Sequence, residues 1–304
     1  MDRYLDLARA GKNDWWRYLL AVLLIVFLWQ GVGALPTLFL LFWAIFDGNP
    51  QTDMTYTGVT GVNVLLTFVA LMFGSLCFLL AIFLAVRFIH RRRLLTLITP
   101  EPRFSFGRFF QGFFVWFLLV GLVAVGEALL YPGRYVWTLD LPRFLPFIFL
   151  ALVLIPVQTS AEELFFRGYL LQGLGQLRLR NIWLLSLISG LLFGPPHLLN
   201  PEAQANPLLM LVYYVSMGAV MAYVTLRDGR LELALGLHAA NNLFAALFAN
   251  ATVTALPTPS LFTVMELDVV YSLLTALAGL LIFVLVFAGG WKKKAEVLQV
   301  TPVA

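Results

Sequence analysis

Apolar runs separated by short polar loops fill this chain from residue 18 to residue 289. A bilayer crossing takes about 20 predominantly apolar residues. Eight runs serve as candidate spans, at 18–46, 62–89, 109–131, 144–174, 182–197, 208–226, 231–249 and 269–289. The pattern therefore predicts an all-α, polytopic membrane protein with about eight transmembrane helices in one bundle. The first run is too long for one straight crossing and is interrupted by Gly31, Gly33 and Pro36. It reads either as a kinked helix or as one span with a re-entrant or interfacial piece. The fifth run is short, ends at Pro195 and Pro196, and could stop inside the bilayer.

Loop charge orients the bundle. Cytoplasmic loops are enriched in Lys and Arg. With eight spans and a cytoplasmic N-terminus, all of the 20 basic residues except Arg134 and Arg143 fall on the cytoplasmic side. Counting the first run as two crossings would invert that bias, so both termini are expected in the cytoplasm. Composition agrees: 61% of residues are hydrophobic and 12% charged, against about 25% charged in ordinary globular domains. The net charge of +4 reflects these topology loops, so membrane lipids are the expected partners and nucleic acid is not. The single Cys77 cannot form an internal disulfide. The first run far exceeds the roughly 7–15 apolar residues of a signal peptide, so no cleaved signal is expected. Length and loop charge suggest a prokaryotic plasma-membrane protein. No internal repeat stands out, and the longest polar loops, around 47–60 and 90–107, are too short for a soluble domain.

Against this background a few polar residues stand out. Ionisable side chains inside spans cost a few kcal/mol and mark candidate functional sites. The fourth run carries Glu162, Glu163 and Arg167, the fifth ends at His197, and the seventh carries His238 and Asn242. Glu163 and Arg167 are four apart on one helix face and can pair, whereas Glu162 lies about 100° around the helix and faces elsewhere. Coarse depths from the helical rise put Glu162, His197 and His238 between the mid-plane and the cytoplasmic half, so they could converge on one water-filled cavity opening to the cytoplasm.

A carboxylate beside an imidazole can take a proton from water, and a second imidazole with an amide can donate to the oxyanion of an attacked carbonyl. Glu162, His197 and His238 also match the ligand set of a catalytic zinc site with an open water position. Both readings lead to amide hydrolysis; they differ in whether a divalent metal such as zinc activates the water.

The three motifs, Glu162-Glu163-Leu-Phe-Phe-Arg167, Phe193-Gly-Pro-Pro-His197 and His238-Ala-Ala-Asn-Asn242, resemble the E-E-x-x-x-R, F-x-x-x-H and H-x-x-x-N signature of the CPBP family. That family comprises the CAAX-processing endoproteases and the bacteriocin-processing and immunity (Abi) proteins, and is named as metalloproteases. The resemblance implies three regions: an N-terminal part with three spans (1–144), a catalytic core (145–250), and a last span with a basic tail (251–304). It further implies that Glu162 and His197 activate water, that His238 and Asn242 hold the oxyanion, and that Glu163 and Arg167 form a supporting ion pair. The activity implied is endopeptidase cleavage of a membrane-associated peptide or protein near the cytoplasmic face.

Blander readings stand beside these. A lone His or Asn in a span often serves as helix–helix glue, and Gly190 and Gly194 read as a close-packing pair. Asn241 reads as polar filler or a cap partner. Glu127 reads as a partner-paired acid, Glu232 as an N-terminal helix charge, and His90 as part of a lipid-headgroup loop. The alternatives to a peptidase are a non-catalytic immunity or scaffold protein binding a peptide in the same cavity, or a proton-coupled transporter. Against other proteases, no span contains an Asp and the H-E-x-x-H zinc helix is absent.

Overall fold

A computed structural model describes the backbone of residues 1–46, 48, 53–55 and 58–300, and side chains within 1–46, 48 and 61–290. The tail lysines Lys292, Lys293 and Lys294, and much of the 47–60 loop, lie outside the described side chains.

Seven helices are long and apolar enough to cross a membrane among the described residues. We number them with the buried helix that sits among them: α1 Trp15–Phe46, α2 Val64–Ile89, α3 Phe106–Leu130, α4 Leu141–Gln176, α5 Ile182–Leu199, α6 Pro207–Asp228, α7 Glu232–Leu247 and α8 Val269–Gly290. Eight helices thus form one all-α bundle, but α7 is not a span of the expected kind. Its 16 residues reach only about 24 Å at 1.5 Å per residue, short of the roughly 30 Å hydrocarbon core. It needs no match to lipid because it is almost entirely buried, with Leu233 to Ala240 inaccessible or nearly so. Conversely, α3 turns Leu118, Leu122, Val125 and Leu129 outward at helical spacing, as a lipid-facing stripe must.

The long first run is one kinked helix. It is α-helical over Trp15–Val26, passes through a π-turn at Phe27–Val32, and is α-helical again over Leu35–Phe46. A side chain on Gly33 would run into the Trp29 carbonyl and lie 2.8 Å from the Gly74 backbone of α2, so the kink is where α1 and α2 touch. α4 begins at a cap, Asp140 accepting from the Arg143 N–H, and changes to a π-turn at Leu164–Leu170. α5 starts under the Asn181 cap, is α-helical to Phe193, and finishes as a tight turn at Pro195–Leu199. It packs closely on α6, where a Cβ on Gly194 would lie 2.6 Å from Val215. That is the expected role of the small residues on α5.

Short strands, which hydropathy did not foresee, decorate the loops. β1 (Asp53–Thr55) pairs antiparallel with β2 (Gly58–Thr60). β5 (Phe262–Val264) lies between antiparallel β3 (Tyr135–Trp137) and parallel β4 (Ala249–Ala251), closing the end of the bundle opposite the N-terminus.

At the basic end the headgroup reading of His90 is corrected. His90 is fully buried; its Nδ1–H donates to the Lys12 carbonyl (2.7 Å) and its Nε2 accepts from the Tyr169 hydroxyl (2.8 Å). Arg92 is also buried and donates to Gln172 (2.7 Å). Docking of the chain around Gly11, whose Cα approaches the His90 carbonyl, covers them. Burial, helped by the positive charges of Arg92 and Arg17, holds the His90 imidazole below its usual pKa.

α7 packs most extensively on α3, and a Cβ on Gly236 would run into the Phe109 carbonyl and lie 2.7 Å from the Phe113 nitrogen. Gly236→Ala should therefore destabilise the protein by about 1–3 kcal/mol, seen as a lower unfolding midpoint in detergent. Because His90 is held neutral in the fold, the unfolded chain takes up its proton first, below about pH 6.5. Stability should fall as pH drops from 6.5 toward the depressed folded value, and His90→Gln should flatten that slope in denaturation curves at pH 7.5 and 5.5.

Candidate active site

α4 supplies two helix faces to the bundle interior. On one, Gln158 and Glu162 are four residues apart, and Gln158 Nε2 donates to Glu162 Oε1 (2.5 Å). On the other, Arg167 Nη1 donates to Glu163 Oε1 (2.8 Å), with both side chains 0% exposed. Removing one partner of such a pair is strongly destabilising, because it strands a charge away from water. The Arg167 guanidinium also lies over the Phe193 ring, 4.2 Å from its centroid, a cation–π contact that helps replace lost hydration.

His238, on α7, enters between the two carboxylates. Its Nδ1 lies 2.8 Å from Glu163 Oε1, and its Nε2 faces Glu162 Oε2 at 3.7 Å. Asn242, one turn further along α7, donates to Gln158 Oε1 (3.0 Å). Asn241 donates to Asn242 Oδ1 (3.1 Å) and accepts from the Trp116 indole N–H (3.2 Å). One polar chain thus runs from Trp116 through Asn241, Asn242 and Gln158 to Glu162, and from His238 through Glu163 to Arg167. Four polar atoms in it, Glu162 Oε2, Glu163 Oε2, and Arg167 Nε and Nη2, are buried without a hydrogen-bond partner.

The structure therefore brings together Glu162, Glu163, Arg167 and His238, and Asn242 through Gln158. Gln158 escaped sequence reasoning; the available signal was its place one turn before Glu162 on the same face. Asn241 is a bridge and not filler. His197 stands apart. Its Nδ1–H donates to the Phe193 carbonyl (2.8 Å), and its ring lies between Phe193 and Tyr214, at 4.3 and 4.7 Å. The Phe193 ring is in turn 6.0 Å from that of His238.

That placement bears on the metal reading. Among the described residues no three His, Cys, Asp or Glu side chains gather so as to hold an ion. The trio Glu162, His197 and His238 is therefore not assembled as a ligand set, although the tie to the Phe193 carbonyl leaves His197 Nε2 free. The site as it stands does not fit a three-ligand metal centre. Outside the site, Glu127 is paired as expected, with Arg134 (2.7 Å) and the Tyr135 hydroxyl (2.7 Å). Glu232 does more than charge a helix end: it accepts from the Ser105 N–H (3.1 Å) and Arg230 (2.7 Å).

A cavity of about 260 Å³ reaches the chain of amides at Asn241. It runs along Trp116, Val120 and Phe244 to Glu127 and Tyr135 near β3. The expected opening toward the basic end is thus not what this cavity provides. Phe165, Phe166, Tyr169, Leu231 and Leu233 fill that side, whereas Ala245, Ala249, Ala276 and Gly279 leave space at the other.

Comparison with known proteins agrees with the motifs. The family described as type II CAAX prenyl endopeptidase Rce1-like matches residues 142–244, a stretch that holds the whole polar chain on α4 and α7 and also His197. The uncharacterized protein YyaK of Bacillus subtilis (strain 168) is 38% identical over 261 residues, covering 84% of this chain and 85% of its own. This chain belongs to the CPBP family. Its likeness to the Bacillus subtilis protein extends well beyond the matched core, so the N-terminal spans are not wholly peculiar to this protein. It is an integral membrane protein of the CAAX-protease type.

The buried pair yields a prediction. Arg167→Met should cost about 3–5 kcal/mol by stranding Glu163. Adding Glu163→Gln to that variant should recover a substantial part of the loss, as read from unfolding midpoints of the two singles and the double.

Proposed function

We propose that this protein is an intramembrane endopeptidase that hydrolyses a peptide bond of a membrane-associated peptide or protein, using water activated by Glu162. The observation that carries this reading is the His238 imidazole set between two carboxylates, with Glu162 Oε2 unpartnered and facing Nε2. Glu163, neutralised by Arg167, accepts the Nδ1–H and fixes the ring's orientation, as an orienting carboxylate does in other His-dependent sites.

In this mechanism Glu162 Oε2 accepts a proton from a water molecule as its oxygen attacks the substrate carbonyl carbon. The carbonyl electrons move to oxygen. Protonated His238 donates to that oxyanion through Nε2–H, joined by the second amide hydrogen of Asn242, since each NH2 carries two and one is committed to Gln158. The C–N bond then breaks as Glu162 passes its proton to the leaving nitrogen, releasing an amine and a carboxylic acid. His197 holds its Nδ1–H on a backbone carbonyl, so its Nε2 is an acceptor. His197 is the candidate for the second group on the water, through the free Nε2 on the far side of the Phe193 ring. The basic end is cytoplasmic in this reading, and no step passes through a metal.

A non-catalytic peptide-binding role has one observation in its favour: the cavity touches Asn241 but not Glu162. The test separates the two. The purified protein is reconstituted in liposomes with a pool of lipid-anchored peptides, and new N-termini are read by mass spectrometry. Glu162→Gln should lower cleavage by about 10²–10⁴-fold with an unchanged unfolding midpoint. Peptide retention without new termini from the wild type would replace the peptidase with the binder.

A further inference from the structure

The N-terminal segment, helical at Asp2–Leu5 and a 3-10 turn at Asp6–Ala10, packs on the back of the site helix and meets its π-turn through Tyr4. Tyr4 is fully buried, and its hydroxyl lies 2.7 Å from the Leu97 carbonyl and 3.1 Å from the Arg167 carbonyl. The π-turn explains why the second acceptor is available. In an α-helix the Leu171 N–H would bond to the Arg167 carbonyl four residues back; here it bonds to the carbonyls of Gly168 and, five residues back, Phe166. Tyr4 takes what the turn releases.

The residue whose backbone Tyr4 holds is the one whose guanidinium meets Glu163 Oε1, the same oxygen that anchors His238 Nδ1. The segment is seated well enough to act through this contact. Tyr4 and Leu5 pack with Leu171, Leu185, Ala222 and Leu226, and a Cβ on Gly175 would lie 2.9 Å from Leu5. Its exposed ion pairs, such as Arg3 with Glu101 at 3.3 Å, add little.

We infer that Tyr4 is a positioning residue for the hydrolysis proposed above: its hydroxyl holds the π-turn of α4 in the register that aims Arg167 at Glu163 and so fixes His238. The inference rests on the peptidase reading for its kinetic consequence and on the π-turn alone for its structural one. Small displacements of reacting groups cost up to about a hundredfold in rate.

Tyr4→Phe keeps the ring and removes only the O–H. On a lipid-anchored peptide cleaved by the wild type, kcat per folded molecule should fall about tenfold to a hundredfold. KM should stay unchanged and the acid limb of the kcat–pH profile should move. Backbone amides of residues 167–172 should exchange hydrogen faster. Arg3→Ala, which removes an exposed ion pair of the segment without touching the phenol or its packing, should leave kcat per folded molecule and the limb in place. If Tyr4→Phe does not fold, 3-fluorotyrosine at this position keeps ring and hydroxyl, donates more strongly because its phenol is more acidic, and should slow exchange at residues 167–172; unchanged exchange would overturn the inference. Wild-type kcat, limb and exchange in Tyr4→Phe would overturn the inference while leaving the peptidase intact. No cleavage by the wild type would instead overturn the peptidase, and exchange at residues 167–172 would then decide alone whether Tyr4 holds the turn.

Discussion

An arginine with no exposed surface, inside a bundle whose outer face is apolar, is the constraint around which the rest of this protein is arranged. A guanidinium is tolerated there only with a counter-charge at contact distance, helped by groups that replace lost hydration. Glu163 supplies the charge and Phe193 a ring face. The carboxylate so held then orients His238. Ion pairs of this kind contribute little net stability compared with apolar replacements, so the arrangement is better understood as fixing geometry than as strengthening the fold.

Holding that geometry requires helices that approach more closely than leucine-rich surfaces permit. α7 reaches the centre because Gly112 and Gly236 let α3 and α7 meet backbone to backbone, and α5 meets α6 at Gly190, Gly194 and Gly218. With few side chains between them, the helices transmit orientation directly. The amides of Asn241, Asn242 and Gln158 then span the remaining gap between α7 and α4.

Hydropathy alone made the bundle legible, because lipid-facing helices must be apolar over their full length, and the spaced motifs pointed to α4, α5 and α7. What stayed hidden depends on tertiary docking. His90 sits in a basic tetrad typical of a topology loop, and only the fold of residues 11–13 over it reveals its burial. Tyr4 and Gln158 carry no ionisable charge at neutral pH and so raise no alarm in an apolar chain. The length of α7 was overestimated since its flanks are apolar although the helix has ended. The placement of His197 behind Phe193 turns on a single side-chain-to-carbonyl bond, which no spacing rule anticipates. Strands of three residues are too short to show a period.

The brevity of α7 has a consequence for biogenesis. A 16-residue segment that carries Glu232, His238, Asn241 and Asn242 has too few apolar residues to offset its polar ones on insertion scales. The translocation machinery would not release it into lipid unaided. His238, Asn241 and Asn242 find their partners instead on two of the helices that α7 packs against, α3 and α4. The helix that carries the imidazole therefore depends on protein and not on lipid for its surroundings, which ties its place in the membrane to the framework formed by its neighbours.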